Sequence, residues 1–113
     1  MKEVKIVLRK DRVDPVVHAL AAGDVPRFHV SHVHVLGAGV DPEDVRVSLE
    51  EGSRYTEKAK IEVFCRAADV DRVVALVREH ACTGRRGDGL IAVTSLERIV
   101  GIRTGEEDLL AVV

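Results

Sequence analysis

The hydrophobic period of this chain switches along its length between two residues and 3.6, and the order of the switches limits the folds open to it. Val4, Ile6 and Leu8 alternate with Lys5, Val7 and Arg9, which predicts a half-buried first strand. The segment DRVDPVVHALAAG then sets Val13, Val16, Val17 and Leu20 on one helical face, with Pro15 tolerated in the first turn and Gly23 as a stop. Alternation returns from Phe28 to Val35 and again over residues 60–64. A second helical segment, ADVDRVVALVREHA, spaces Val70, Val73, Val74 and Val77 behind Asp69, a candidate N-cap. Residues 90–95 read as the last strand, and the tail GIRTGEED is polar and turn-like.

The resulting order, βαββαβ plus a short C-terminal extension, predicts an α+β chain. Two split βαβ units give a ferredoxin-like sandwich, an antiparallel sheet with both helices on one face. No linker interrupts residues 1–113, so a single domain is expected. Strand two carries Phe28 and Val30 on one side and Val33 and Val35 on the other. A strand apolar on both faces needs two covers, and a second copy of the chain is the expected one. Between strands two and three, roughly residues 36–57 are rich in glycine and charge. Connections beyond about 12–15 residues are uncommon in compact domains and usually carry function.

Composition narrows the function classes. Hydrophobic residues make up 46% and charged residues 32% of the 113, which excludes a disordered chain. Trp is absent and the aromatics are Phe28, Tyr55 and Phe64, so the core is expected to be aliphatic. A net charge of −2 and so few stacking rings argue against nucleic acid as a partner. Cys65 and Cys82 are expected as free buried thiols of a reducing compartment. The start MKEVKIVLRK lacks an apolar leader core and no run suits a membrane span, so a cytoplasmic protein without direct membrane insertion is expected.

Two local features suggest chemistry. The turn TGRRGDG, residues 83–89, combines three glycines with Arg85 and Arg86. Glycines permit positive φ and close approach, and successive amides of such a turn can cradle an anion. The same residues equally suit a plain chain reversal, and they do not match the spacing of a Walker A loop. Arg103, in GIRTGEED, offers a planar fork for phosphate or carboxylate, or is a solvated surface arginine.

TGRRGDGLIAV followed by LERIVGIRTGEED is similar to the C-terminal signature of the PII nitrogen-regulatory family, in which a TGxxGDG turn precedes the last strand and an RTGE segment follows it. The resemblance runs from Met1 to about Asp108 and includes Val13-Asp14, Ala19-Leu20 and the strand Lys58-Ala59-Lys60-Ile61-Glu62. It implies a homotrimer with adenine nucleotide sites between subunits. It also implies three functional segments: a T-loop at about 37–55, a B-loop at about 82–90 and a C-loop at about 101–108. The T-loop would dock on a target protein, a membrane transporter or a metabolic enzyme. Glu62 and Phe64 match strand positions that contact adenine and ribose. Gly87, Asp88 and Gly89 match the B-loop that wraps the phosphates, and Arg103 matches a C-loop arginine. His29, Gly37 and Arg86 complete the expected nucleotide-binding set.

The departures from the family pattern shift the expected ligand. Leu90 replaces the lysine after GDG, Gly101 replaces an arginine, and Ala38-Gly39 replaces an arginine-glutamine pair. A charge-assisted hydrogen bond contributes roughly 1.5–3 kcal/mol, so each lost cation weakens phosphate binding about 10- to 150-fold. ADP, AMP or a cyclic nucleotide is therefore expected before MgATP, and sensing of 2-oxoglutarate through Mg²⁺ is expected to be lost although Lys58 is kept. Glu51 stands where some members carry a modified tyrosine. A ligand that orders the T-loop, with Gly37, Gly39 and Gly52 as its flexible points, would change its fit to a target.

His32 and His34 share one face of strand two and His29 the other. His32 and His34 are candidate metal ligands for an alternative reading, a metal- or small-anion-responsive trimer with a decayed nucleotide site. No catalytic motif is recognisable, and Glu50-Glu51 and Glu106-Glu107-Asp108 read as solvated charge runs. A regulator rather than an enzyme is expected.

Overall fold

One row of side chains accounts for the architecture. Val30, Ile61, Ile6 and Ile91 stand abreast across four strands, because the ladders pair Val30 with Ile61, Ile61 with Ile6 and Ile6 with Ile91. A computed structural model of the chain describes residues 1–41, 43–48 and 53–113; Glu50, Glu51 and Gly52 of the predicted loop lie outside the described residues. The strands are β1 (Lys2–Leu8), β2 (Phe28–Val35), β3 (Arg46–Ser48), β4 (Ser53–Cys65) and β5 (Gly89–Ser95). They form an antiparallel sheet in the order β2-β4-β1-β5, with the short β3 paired to the start of β4.

The helices α1 (Val13–Ala22) and α2 (Val70–Ala81) cover one sheet face. Their buried residues Val16, Leu20, Val73 and Val77 meet Val4, Ile6, Leu8, Ile61 and Val63 from the sheet. The fold is α+β and ferredoxin-like, as the periodicity predicts. The core is aliphatic apart from Cys65, whose thiol is pushed up by burial, with Phe28 packed at its margin.

Three details depart from the sequence reading, while Gly23 stops α1 as expected. The predicted third strand is far longer, 13 residues, and its first three pair with β3, so the expected loop contains a small hairpin. Gly23 ends α1 at an ordinary φ of −87°, and Asp24, not the glycine, turns left-handed at φ 60°. Gly23 lets the helices approach closely, since a Cβ there would lie 2.8 Å from Leu76 Cδ1 of α2 and that side chain would have to move. Asp69 occupies the N-cap of α2 but makes no capping bond; its carboxylate accepts Arg66 Nε at 3.0 Å and faces Arg72 at 3.6 Å. Cys82 is exposed at the end of α2, so only Cys65 is a buried thiol.

The tail is not merely turn-like. Gly101 donates its N–H to the Glu106 carbonyl at 2.7 Å, Val100 bridges Glu107, and a final short helix α3 (Leu109–Val112) buries Val112. Beyond Phe28 the helices no longer cover β2, and Val30 is 45% exposed. Among the described residues, no helix packs on the opposite sheet face. It presents Val7, Val33, Val35 and the 59% exposed Leu90 among charged side chains. Among the described residues, no helix is long and apolar enough to cross a membrane.

Candidate functional site

Strand alternation gathers charge at one end of the uncovered face. Val7 pairs with Lys60 and Leu90 on that face, while Leu8 pairs with Ala59 and Gly89 on the core side. One residue further, period two returns Arg9, Lys58 and Asp88 to the uncovered face as the next row. These three residues, with Asp41 folded over them from the connection after β2, form a mixed-charge cluster.

The turn before β5 is built around Asp88. Its carboxylate accepts the Thr83 N–H at 2.8 Å, the Gly84 N–H at 3.0 Å and the Thr83 hydroxyl, and the Arg85 N–H is donated to Thr83 Oγ1 at 3.2 Å. The first amides of TGRRGDG thus turn inward onto the chain's own side chains rather than outward as an empty anion cradle. Two glycines make this path possible. Gly87, at φ 92°, lies so close to Asp41 that a Cβ would sit 3.1 Å from Asp41 Cγ. Gly89, at φ 112°, passes the Val7 carbonyl where a Cβ would be only 1.7 Å from the oxygen.

Arg9 joins the turn to the connection after β2. It donates from Nε to Asp88 at 3.0 Å, from one terminal nitrogen to Asp41, and from the other to the Arg86 carbonyl at 2.6 Å. Lys58, 2% exposed, donates to the Gly87 carbonyl. The Asp41 N–H is donated to Thr56 Oγ1 at 2.7 Å, and the Thr56 hydroxyl to the Asp44 carbonyl at 3.1 Å.

Ionisation follows this arrangement. Burial pulls against the Asp88 carboxylate, yet the hydrogen bonds from Thr83, Arg9 and Gly84 outweigh it and hold the group far below its ordinary range. Asp41 is also lowered, first by the Glu43 N–H and then by Arg9. Burial, with Arg9 beside it, pushes the Lys58 ammonium down. Arg9 is raised because its bonds to Asp88 and Asp41 overcome its own desolvation.

The residues expected from the sequence fall into three places. Arg86, Gly87, Asp88 and Gly89 lie in the turn, where the Arg86 side chain is exposed. His29, Glu62 and Phe64 meet on the uncovered face: His29 pairs with Glu62 in the ladder and its ring meets Phe64 edge-on at 5.7 Å. Glu62 also faces Lys60 at 3.6 Å. Gly37 begins a 3-10 turn just after β2 at φ 67°. Arg103 is exposed on the turn that Gly105 closes by donating its N–H to Gly101 at 2.9 Å.

Along β4, Glu62 stands three rungs from Ala59, the level of Gly89, so the strand cluster and the turn occupy different parts of one face. The candidate metal ligands are not gathered. His32 is exposed, His34 stacks on Tyr55 at 4.0 Å and faces Glu57, and no group of three metal-ligating side chains occurs among the described residues.

Arg9, Asp41 and Thr56 were not legible as site residues. Arg9 reads as a strand end, and Asp41 and Thr56 sit in a segment without period. The available signal was parity, since Arg9 follows Val7 on the uncovered face and lies one rung beyond the glycine that opens β5.

The profile described as Nitrogen regulatory protein P-II matches residues 1–106. Nitrogen regulatory protein GlnK of Escherichia coli is 31% identical over 108 residues, covering 96% of each chain. Nitrogen regulatory protein P-II of Microchaete diplosiphon is 34% identical, over 99% of this chain and 100% of the relative. The P-II protein of Azospirillum brasilense is 31% identical over 95% of this chain and 96% of its own. With the ferredoxin-like sheet and the glycine turn before its last strand, these matches make the chain a member of the P-II family of nitrogen regulatory proteins, signal-transduction regulators rather than enzymes.

Proposed function

We propose that the chain is the subunit of a cytoplasmic homotrimer that binds an adenine nucleotide between subunits. On this reading it regulates a membrane transporter or a metabolic enzyme through the loop at about 37–55. The observation that carries this is the uncovered sheet face. His29, Glu62 and Phe64 lie on it at one level and the turn with Arg86 and Gly87 at another, with the half-buried Val7 and the exposed Leu90 beside them. A pocket needs a second wall, and this face has none within one chain. A neighbouring copy seated on it would supply that wall, cover the apolar side chains and bring its Arg103 against bound phosphates.

ADP, AMP or a cyclic nucleotide suits the site better than MgATP with 2-oxoglutarate. Leu90, Ala38 and Gly101 carry no charge, and Lys58 is already engaged with the Gly87 carbonyl. Calorimetric titration with ATP, ADP, AMP and cyclic AMP, with and without Mg²⁺, tests this. Micromolar binding of one of them that is weakened by Arg103→Ala supports the reading, whereas silence across the panel rejects it.

A further inference from the structure

Asp41 is an anion held where an incoming anion would have to go. Its carboxylate is 2% exposed, bonded through Oδ2 to Arg9 and packed against Gly87 of the turn. Its other oxygen accepts the Glu43 N–H at 3.0 Å, and its own N–H is tied to Thr56 Oγ1 of β4. Beside it opens a cavity of about 220 Å³ lined by Thr56, by the cations Arg9, Lys10 and Lys58, and by the carboxylates of Asp11, Asp41, Asp44 and Glu57. The cations facing that space are satisfied by the protein's own groups, Arg9 by two carboxylates, Lys10 by Glu57 and Lys58 by a carbonyl.

We propose, on the nucleotide reading above, that Asp41 is a tethered counter-ion on Arg9 and the turn, which the phosphate of an incoming ligand must displace, freeing the base of the loop as it does so. A phosphoryl group carries more charge and more acceptor oxygens than a carboxylate, so it is the class of ligand able to take Arg9 from Asp41. The tether gives Asp41 a high effective concentration and lowers apparent ligand affinity by the fraction of molecules in which it has swung away. The coupling therefore has a definite sign, the reverse of the ligand-ordered loop expected from the sequence. In the free protein Thr56 ties the loop's two ends together through Asp41, Asp41 holds them against Arg9 and the turn, and ligand binding loosens them.

The test uses ADP as the probe and three variants of the full chain. Asp41→Asn keeps the shape and removes the competing charge. Thr56→Val cuts the tether and leaves the charge. Asp11→Asn removes a charge from the lining of the same cavity without touching a hydrogen bond of Arg9. Asp41→Asn is expected to bind ADP at least about tenfold more tightly and Thr56→Val about threefold more tightly, with Asp11→Asn unchanged. Amide exchange over residues 43–48 and 54–57 should quicken in Asp41→Asn without ligand, and in the wild type on adding ADP.

Equal tightening by Asp41→Asn and Asp11→Asn, or no effect of Thr56→Val, would show simple charge repulsion and overturn the tethered counter-ion. Wild-type binding that Asp41→Asn leaves unchanged overturns it too while sparing the nucleotide reading. Absence of ADP binding in the wild type and in every variant removes both.

Discussion

At the scale of single residues, Asp88 does the most to shape the turn before the last strand. Its carboxylate gathers three donors from residues 83 and 84 and a fourth from Arg9, which is why it ionises far below the ordinary 3.8. The sign of its linkage follows. The unfolded chain binds a proton near 3.8 and the folded chain only in far stronger acid, so the stabilisation is complete above about pH 5, begins to fade below about 4 and goes on fading as pH falls to the folded value. Thermal midpoints of wild type and Asp88→Asn should differ most near neutrality and converge in acid. A gap that stays constant down to pH ~3 would show that the carboxylate's charge is irrelevant to the turn. The sequence marks Asp88 as special only through the glycines around it. Its partner Arg9 looks like any cationic strand end until parity is followed past Leu8.

Secondary-structure elements were legible in proportion to how much periodic apolar surface they bury. β1, α1, β2, the core half of β4, α2 and β5 each carry an alternating or helical stripe, and all were placed from it. β3 and α3 carry almost none. β3 has three residues held by pairing with Ser53–Cys65, and α3 has four, anchored by Val112 alone. The short helix sits beside the α1–β2 connection, where Leu109 and Val113 border a cavity with Asp24, Pro26 and Arg66. Its contribution should be local and small. Val112→Ala, in urea unfolding, is expected to lower stability by about 1–2 kcal/mol, the transfer value of the carbons removed, without altering nucleotide binding. A loss below about 0.3 kcal/mol would mean the helix is not docked in solution.

On the scale of the whole molecule, the sheet has one finished face and one unfinished face. The helices bury the row of Val30, Ile61, Ile6 and Ile91 only in part, and the other side leaves Val7, Val33, Val35 and Leu90 without a cover. Strand two shows this already in the sequence, since its valines fall on both sides. Assembly through that face predicts that Leu90→Glu, by placing a charge among apolar neighbours, yields monomers in light scattering while circular dichroism is unchanged. A trimer that persists in this variant would move the contact elsewhere. β4 gives the molecule a further property. It runs unbroken from the hairpin at Ser53 to the core at Cys65, and Thr56 and Lys58 are two of its rungs. A single residue gained or lost between Tyr55 and Ala59 would therefore turn Thr56 or Lys58 to the wrong side. Lineages descended from this fold are free to reinvent what the loop touches, but not the strand on which it is mounted.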